Sequence, residues 1–351
     1  MTIDQSPRYD RQQTYDWNYD HVPVAQDIDV PQVPGSWQFC NLPVDSPLGV
    51  PAGPLLNGRW CIYYASLGFD VLTYKTVRSA YRACYPLPNL QPVTCPSLSG
   101  GESDLPASDS MSGSWAVSFG MPSKSPDVWR EDVQRTRDQL PSGKLLSVSV
   151  VGTVQDGWTI DDLAKDYARC AKWAVESGAD CVETNFSCPN VSTCDGQLFQ
   201  QPRDAAIVAE RVRLAIGKFP YIAKIGRVEK RDHAVELLDS IGPFVDALAM
   251  TNSIASTVRG DNGSFLFAGE KRGICGDATR DASISQTQMF SELIRDEELA
   301  LQLIGVGGAS TAEHVHGFIA AGAHAVHIAT AAMVDPAVGI RIREQLAQPK
   351  R

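Results

Sequence analysis

Residues 145–185 read LLSVSVVGTVQDGWTIDDLAKDYARCAKWAVESGADCVETN. The valine-rich run at 145–151 predicts a strand. Residues 160–177 then carry Leu163, Tyr167, Cys170, Trp173 and Ala174 at helical spacing. Thr159 stands as the N-cap, and Asp161 and Asp162 occupy the first turn, where negative charge is favoured. Residues 180–185 predict a second strand. A strand, a helix and a strand in this order imply that the two strands run parallel.

The same alternation continues in both directions. Upstream, a first strand falls near residues 50–55. A helix at 58–67 precedes the strand at 69–75 (FDVLTYK). Downstream, helices at 203–218, 230–241 and 311–321 alternate with strands at 221–225, 245–251, 302–306 and 325–329. A last helix covers 337–346, with Asp335 and Pro336 as its cap and first position. Eight strands, most followed by a helix, favour a closed α/β barrel, the (β/α)8 TIM barrel, with an N-terminal arm and loop insertions. Alternation alone leaves an open doubly wound sheet as the alternative. Residues 1–45 read as the arm, because Val22-Pro23, Val30-Pro31 and Val33-Pro34 favour extended backbone. Residues 86–114, rich in Pro, Ser and Gly, read as an irregular insertion. Residues 46–351 read as one barrel domain.

Composition narrows the function. The chain has 351 residues, 43% hydrophobic and 21% charged, with a formal net charge of −10, and its pI is about 5.1. Duplex binding needs a concentrated basic surface. The longest basic cluster, 224–231, is short and contains Glu229, so no nucleic-acid partner is expected. Nine cysteines are scattered without a Cys-x-x-Cys pair, so no metal site is expected. The first twenty residues are polar, and no apolar run approaches the roughly eighteen residues of a membrane span. A cytoplasmic protein with reduced thiols is the expectation.

In such a barrel, chemistry gathers at the C-terminal strand ends. The second strand ends in Lys75-Thr76. The fourth ends in Asn185 and leads into Asn185-Phe186-Ser187-Cys188-Pro189-Asn190. The fifth ends in Lys224, and the sixth in Thr251-Asn252-Ser253. The seventh ends in Gly305-Val306-Gly307-Gly308, and the eighth in Ala329-Thr330-Ala331. A thiol between two asparagine amides suits base or nucleophile chemistry on a polar planar ring, since each amide offers donors and an acceptor. The plainer reading of the hexapeptide is a turn ended by proline. Each lysine alone can be a snorkelling strand end. The small-residue turns after strands seven and eight suit a phosphate.

The ordered set of motifs resembles the dihydroorotate dehydrogenase family, which includes the pyrimidine-reducing domain of dihydropyrimidine dehydrogenases. The likeness covers roughly residues 40–346. Its most specific element is the hexapeptide 185–190. Ala52-Gly53, Tyr74-Lys75-Thr76, Phe119-Gly120-Met121-Pro122, Lys224, Thr251-Asn252-Ser253-Ile254, Gly273-Ile274-Cys275-Gly276, Gly305-Val306-Gly307-Gly308 and Ile328-Ala329-Thr330-Ala331 accompany it in order. The resemblance implies an FMN-binding barrel. It implies that Cys188 takes a proton from C5 of a dihydropyrimidine while hydride leaves C6 for flavin N5. Asn185, Asn190, Asn252 and Ser253 would hold the pyrimidine, and Lys75 would lie between flavin and substrate. Ala52, Gly53 and Thr76 would line the isoalloxazine, and Lys224 would sit by its N1–O2 edge. Gly276, Gly307, Gly308, Ala329 and Thr330 would form the phosphate turn. Members that pass electrons to membrane quinones usually have serine as the base. Cys188 therefore implies the soluble class, and the resemblance implies a homodimer.

Two departures qualify the resemblance. Val117 stands where members that oxidise dihydroorotate commonly have asparagine, and Ala329 stands where glycine is usual. Val117 gives weight to dihydrouracil or another dihydropyrimidine as the alternative substrate. A barrel that reduces uridine in transfer RNA fits the acidic balance and the Cys-Pro-Asn context poorly. A flavin-binding barrel without turnover is the alternative from a different class, and Cys188 with both lysines argues against it. The electron acceptor is left open among fumarate, a partner flavoprotein and oxygen. With no iron–sulfur cysteine cluster in the chain, an NAD(P)H route would need a partner subunit.

Overall fold

The computed structural model describes residues 7–102, 104–111, 113–187 and 197–348. Eight parallel strands close a barrel. They are β1 (Leu48–Val50), β2 (Val71–Val77), β3 (Leu145–Val150), β4 (Cys181–Asn185), β5 (Tyr221–Lys224), β6 (Ala247–Met250), β7 (Gln302–Val306) and β8 (Ala325–His327). Closure is made where β8 pairs with β1, Val326 with Leu48 and His327 with Gly49. That pairing excludes the open doubly wound sheet.

Helices α1 (Gly58–Ser66), α2 (Pro126–Gln139), α3 (Ile160–Glu176), α4 (Pro202–Ile216), α5 (Arg231–Ile241), α6 (Arg280–Asp296), α7 (Ala312–Ala320) and α8 (Val338–Leu346) follow the strands in turn. The local rules act where expected. Thr159 caps α3 in a reciprocal box with Asp162. On β3, Leu146, Val148 and Val150 join the large core that also holds Leu163, Tyr167 and Cys170 of α3. Leu145 belongs instead to a smaller cluster inside the barrel. This is the two-residue alternation of a strand.

The arm closes the N-terminal end of the barrel. Trp37–Phe39 and Leu42–Val44 form a hairpin, and Phe39 packs among Val71, Leu145, Ile222, Ala247 and Ile304. Its ring stacks on His327 at 5.5 Å between centroids. Further back along the chain, Tyr9 and Tyr15 are buried with their rings against Phe119, at 5.9 and 6.1 Å. The arm thus contacts both ends of the barrel.

Residues 86–114 are not irregular throughout. Leu90–Val93, Asp104–Pro106 and Ser114–Val117 are strands, and they join Ile254–Arg259 and Arg272–Gly276 in a five-stranded sheet. Both contributing segments follow barrel strands, β2 and β6, so the sheet stands at the C-terminal mouth. The sequence reading also assigns no helix to α2 or α6. Its first strand, near 50–55, lies a few residues too late.

Candidate active site

A cavity of about 300 Å³ lies at the C-terminal ends of β1, β5, β7 and β8, with the mouth sheet as one wall. Gly53, Lys224, Asn252, Gly276, Gly307, Gly308, Ala329 and Thr330 all line it. These residues are spread over 278 positions of sequence, from 53 to 330. The barrel brings them together because each follows or ends a parallel strand, or stands at the head of α6.

The glycine turns form a tight cradle. Gly276 has φ +100°, and a Cβ there would lie 2.3 Å from the Gly113 carbonyl oxygen. Gly307 has φ +133°, and a Cβ would meet the Ser283 hydroxyl at 2.3 Å. Only glycine suits either position. Ala329 has φ −103°, ordinary for an L-residue, so its methyl group is tolerated.

The other strand ends hold their side chains firmly. Lys224 and Asn185 are register partners on adjacent strands, both buried. Asn185 Oδ1 accepts the backbone N–H of Ser187 at 3.1 Å. Its Nδ2 makes a long contact of 3.6 Å with the Met121 sulfur. Asn252 donates Nδ2 to the Ser187 carbonyl. The backbone of Ser187 is thus gripped from both sides, directly before Cys188. Cys188 and Asn190 themselves lie outside the described residues.

Lys75 sits where the β2–β3 register shifts, between Tyr74 and Val77. It is buried, and its Nζ stands 5.0 Å from the centre of the Phe119 ring, within cation–π range. Thr76 Oγ1 is 3.0 Å from Ser149 Oγ, and Ala52 is buried behind the turn after β1. Lys75, Thr76 and Asn185 belong to the same mouth but are not part of the wall lined by Lys224. Ser253 departs further. It faces a neighbouring cavity of about 170 Å³ with Ser187, Gly226 and Arg227.

Charges in the barrel interior bear on Lys224. Burial holds the Glu183 carboxyl above its ordinary pKa, while Lys224 and the Ser149 hydroxyl pull it down. His327 is lowered to about 3, first by burial and then by the Lys224 charge, so its imidazole is neutral at physiological pH.

The cavity includes residues that motif reading did not select as site residues. Trp115, Val117 and Phe119 stand on its wall, with Cys275, Ser310 and Arg341 elsewhere. The Arg341 guanidinium pairs with Asp335, which also lines the cavity. Nothing in the spacing around Arg341 marks it, because α8 delivers it from outside the strand ends. Among the described residues no cluster of His, Cys, Asp or Glu is arranged to hold a metal ion. No described helix is long and apolar enough to cross a membrane.

Comparison with known proteins agrees with this geometry. Residues 106–349 match the family model described as dihydroorotate dehydrogenase. A dihydroorotate dehydrogenase of Dictyostelium discoideum is 30% identical over 325 residues, covering 86% of this chain and 86% of the relative. The catalytic subunit of dihydroorotate dehydrogenase B (NAD(+)) from Desulforudis audaxviator is 30% identical over 214 residues, 60% of this chain and 66% of that subunit. Among solved structures, DHODH of Eimeria tenella in complex with ferulenol superposes with a TM-score of 0.72 at 18% identity. That match covers 94% of this chain and 88% of that one, a likeness of fold.

Proposed function

We propose, from the premise that the chain belongs to the dihydroorotate dehydrogenase family, that it oxidises dihydroorotate to orotate in pyrimidine biosynthesis with FMN as its bound cofactor. It is an oxidoreductase of that family. The observation that carries the reading is the double grip of Asn185 and Asn252 on Ser187, beside buried Lys224.

The residues present fit FMN. Gly276, Gly307 and Gly308 offer a turn too tight for any Cβ, and Thr330 adds a hydroxyl beside it. That is the chemistry a phosphate monoester needs. Lys224 supplies a fixed, buried cation on the wall of the same cavity, where negative charge accumulates on reduction. Gly53, Ala52 and Thr76 would flank the ring. Bound there, FMN supplies the acceptor for the hydride that leaves the substrate.

The chain's own residues do the rest. Cys188, as thiolate, takes the C5 proton, and its ordinary pKa of about 8.5 suits a base near neutral pH. Asn185 and Asn252 fix the backbone that carries it. Asn185, Asn190, Asn252 and Ser253 hold the ring's N–H and C=O groups, and Lys75 holds the substrate's negative charge. A Cys188→Ala variant tests this. It should keep its flavin and be reduced by dihydroorotate far more slowly. Reduction at the parent rate removes Cys188 from the mechanism.

Val117 on the cavity wall favours a second substrate reading, dihydrouracil or a related dihydropyrimidine, because a valine cannot pair with a ring amide. The assembly proposed is a homodimer in the cytoplasm. Gel filtration at micromolar concentration tests it, and a monomeric elution volume contradicts it.

A further inference from the structure

Part of the barrel interior, beside the apolar cluster around Phe39, is polar where packing alone would make it apolar. Thr73 on β2, Ser147 and Ser149 on β3, Glu183 on β4 and His327 on β8 are all 1% exposed or less. Thr73 Oγ1, Ser147 Oγ, Glu183 Oε1 and both His327 ring nitrogens have no hydrogen-bond partner among the described residues. Buried polar groups are normally paired, and a buried carboxylate is the costliest to leave unpaired. An alternation of small and large aliphatic residues would fill the same space at less cost. A run of such groups along one barrel axis therefore calls for a function.

Their connections lead to the mouth of the barrel. Thr76 Oγ1, at the strand end, lies 3.0 Å from Ser149 Oγ. Ser149 and Glu183 are in turn register partners on β3 and β4. The β4–β5 register pairs Asn185 with Lys224 and Glu183 with Ile222. Glu183 therefore lies one same-face step below Lys224, on the interior side. His327, neutral, also feels the Lys224 charge.

We propose that Glu183 is a positioning residue for Lys224. From inside the barrel its carboxylate holds the Lys224 ammonium at the cavity wall and offsets part of the positive charge the cavity presents. The inference rests on the reading that this cavity takes FMN. It assigns Glu183 a task that Ser149 pairing alone does not require: setting how strongly the site prefers the reduced, more negative cofactor over the oxidised one.

The test uses the full chain and compares E183Q and E183D with the parent. Anaerobic titration gives dissociation constants for oxidised and for reduced FMN, and their ratio is the readout. Removing the anion leaves Lys224 uncompensated, so E183Q should favour reduced FMN by at least about tenfold relative to the parent. E183D draws the carboxylate back by one methylene and should move the ratio the same way by about threefold. If E183Q fails to retain FMN, E183D alone decides. A ratio within about twofold of the parent in every variant that binds FMN overturns the proposal, even if melting temperature falls, because a packing role moves both constants together. A parent protein that binds no FMN overturns the reading of the cavity instead.

Discussion

Asn252 donates its side-chain amide to the carbonyl of Ser187, the residue directly before Cys188. Asn252 follows β6 and Ser187 follows β4, so the bond ties two strand ends across β5. Asn185 takes the N–H of the same residue. In this arrangement the two asparagines fix the backbone directly before Cys188.

Asn252→Ala removes one of the two grips and leaves the Ser187 carbonyl unpaired. The loss of a buried hydrogen bond and of orientation should lower kcat/KM for dihydroorotate by about 10- to 100-fold. Flavin content should stay at the parent level, since the glycine turns are untouched. Steady-state kinetics with a flavin absorbance count checks both. Loss of flavin together with activity would assign Asn252 to the cofactor instead.

Gly276→Ala places a methyl group 2.3 Å from the Gly113 carbonyl oxygen at φ +100°. Both the clash and the backbone angle oppose the native turn, at a cost of about 1–3 kcal/mol or more. FMN affinity should fall by at least about tenfold, while the far-ultraviolet circular dichroism of the barrel is retained. Equal FMN affinity in the variant would exclude this turn as the phosphate site.

His327 makes the barrel acid-sensitive. Its pKa is lowered to about 3 by burial and by Lys224, against about 6.5 in an unfolded chain. Between these values the unfolded state binds more protons. Stability from this group is therefore complete above about pH 6.5 and is lost as pH falls toward 3, by up to about 1.4 kcal/mol per pH unit. Glu183, raised by burial, acts in the opposite sense above about pH 4.5. Denaturation midpoints of the parent and of His327→Asn between pH 4 and 7 isolate the histidine, and the variant's profile should be flatter on the acid side. Parallel profiles would contradict the assignment.

The parts of this structure that sequence makes legible are those with a local pattern. Residues 145–185 show strand, cap, helix and strand because each is set by neighbours within a few positions. The ends of the strands are legible for the same reason, and they carry Lys75, Asn185, Lys224 and Asn252. The mouth sheet is not legible, because its strands are three to six residues long and Gly273 pairs with Val117 across 156 positions. Helix α6 is hidden because it buries Ser283, Gln286 and Thr287 along with its apolar residues. Helix α2 buries only Trp129, Val133 and Thr136, too few for a clear period. In β3, Ser147 and Ser149 alternate with Leu146, Val148 and Val150 of the outer core and are fully buried inside the barrel. The polar layer is therefore a property of the closed fold.

The central claim is that this cavity oxidises dihydroorotate. The most direct test is anaerobic mixing of the purified protein with dihydroorotate while flavin absorbance is followed. Bleaching of the bound flavin with one equivalent of orotate formed is the predicted result. Flavin that stays oxidised with dihydroorotate, and bleaches only with dihydrouracil or with neither, would contradict it.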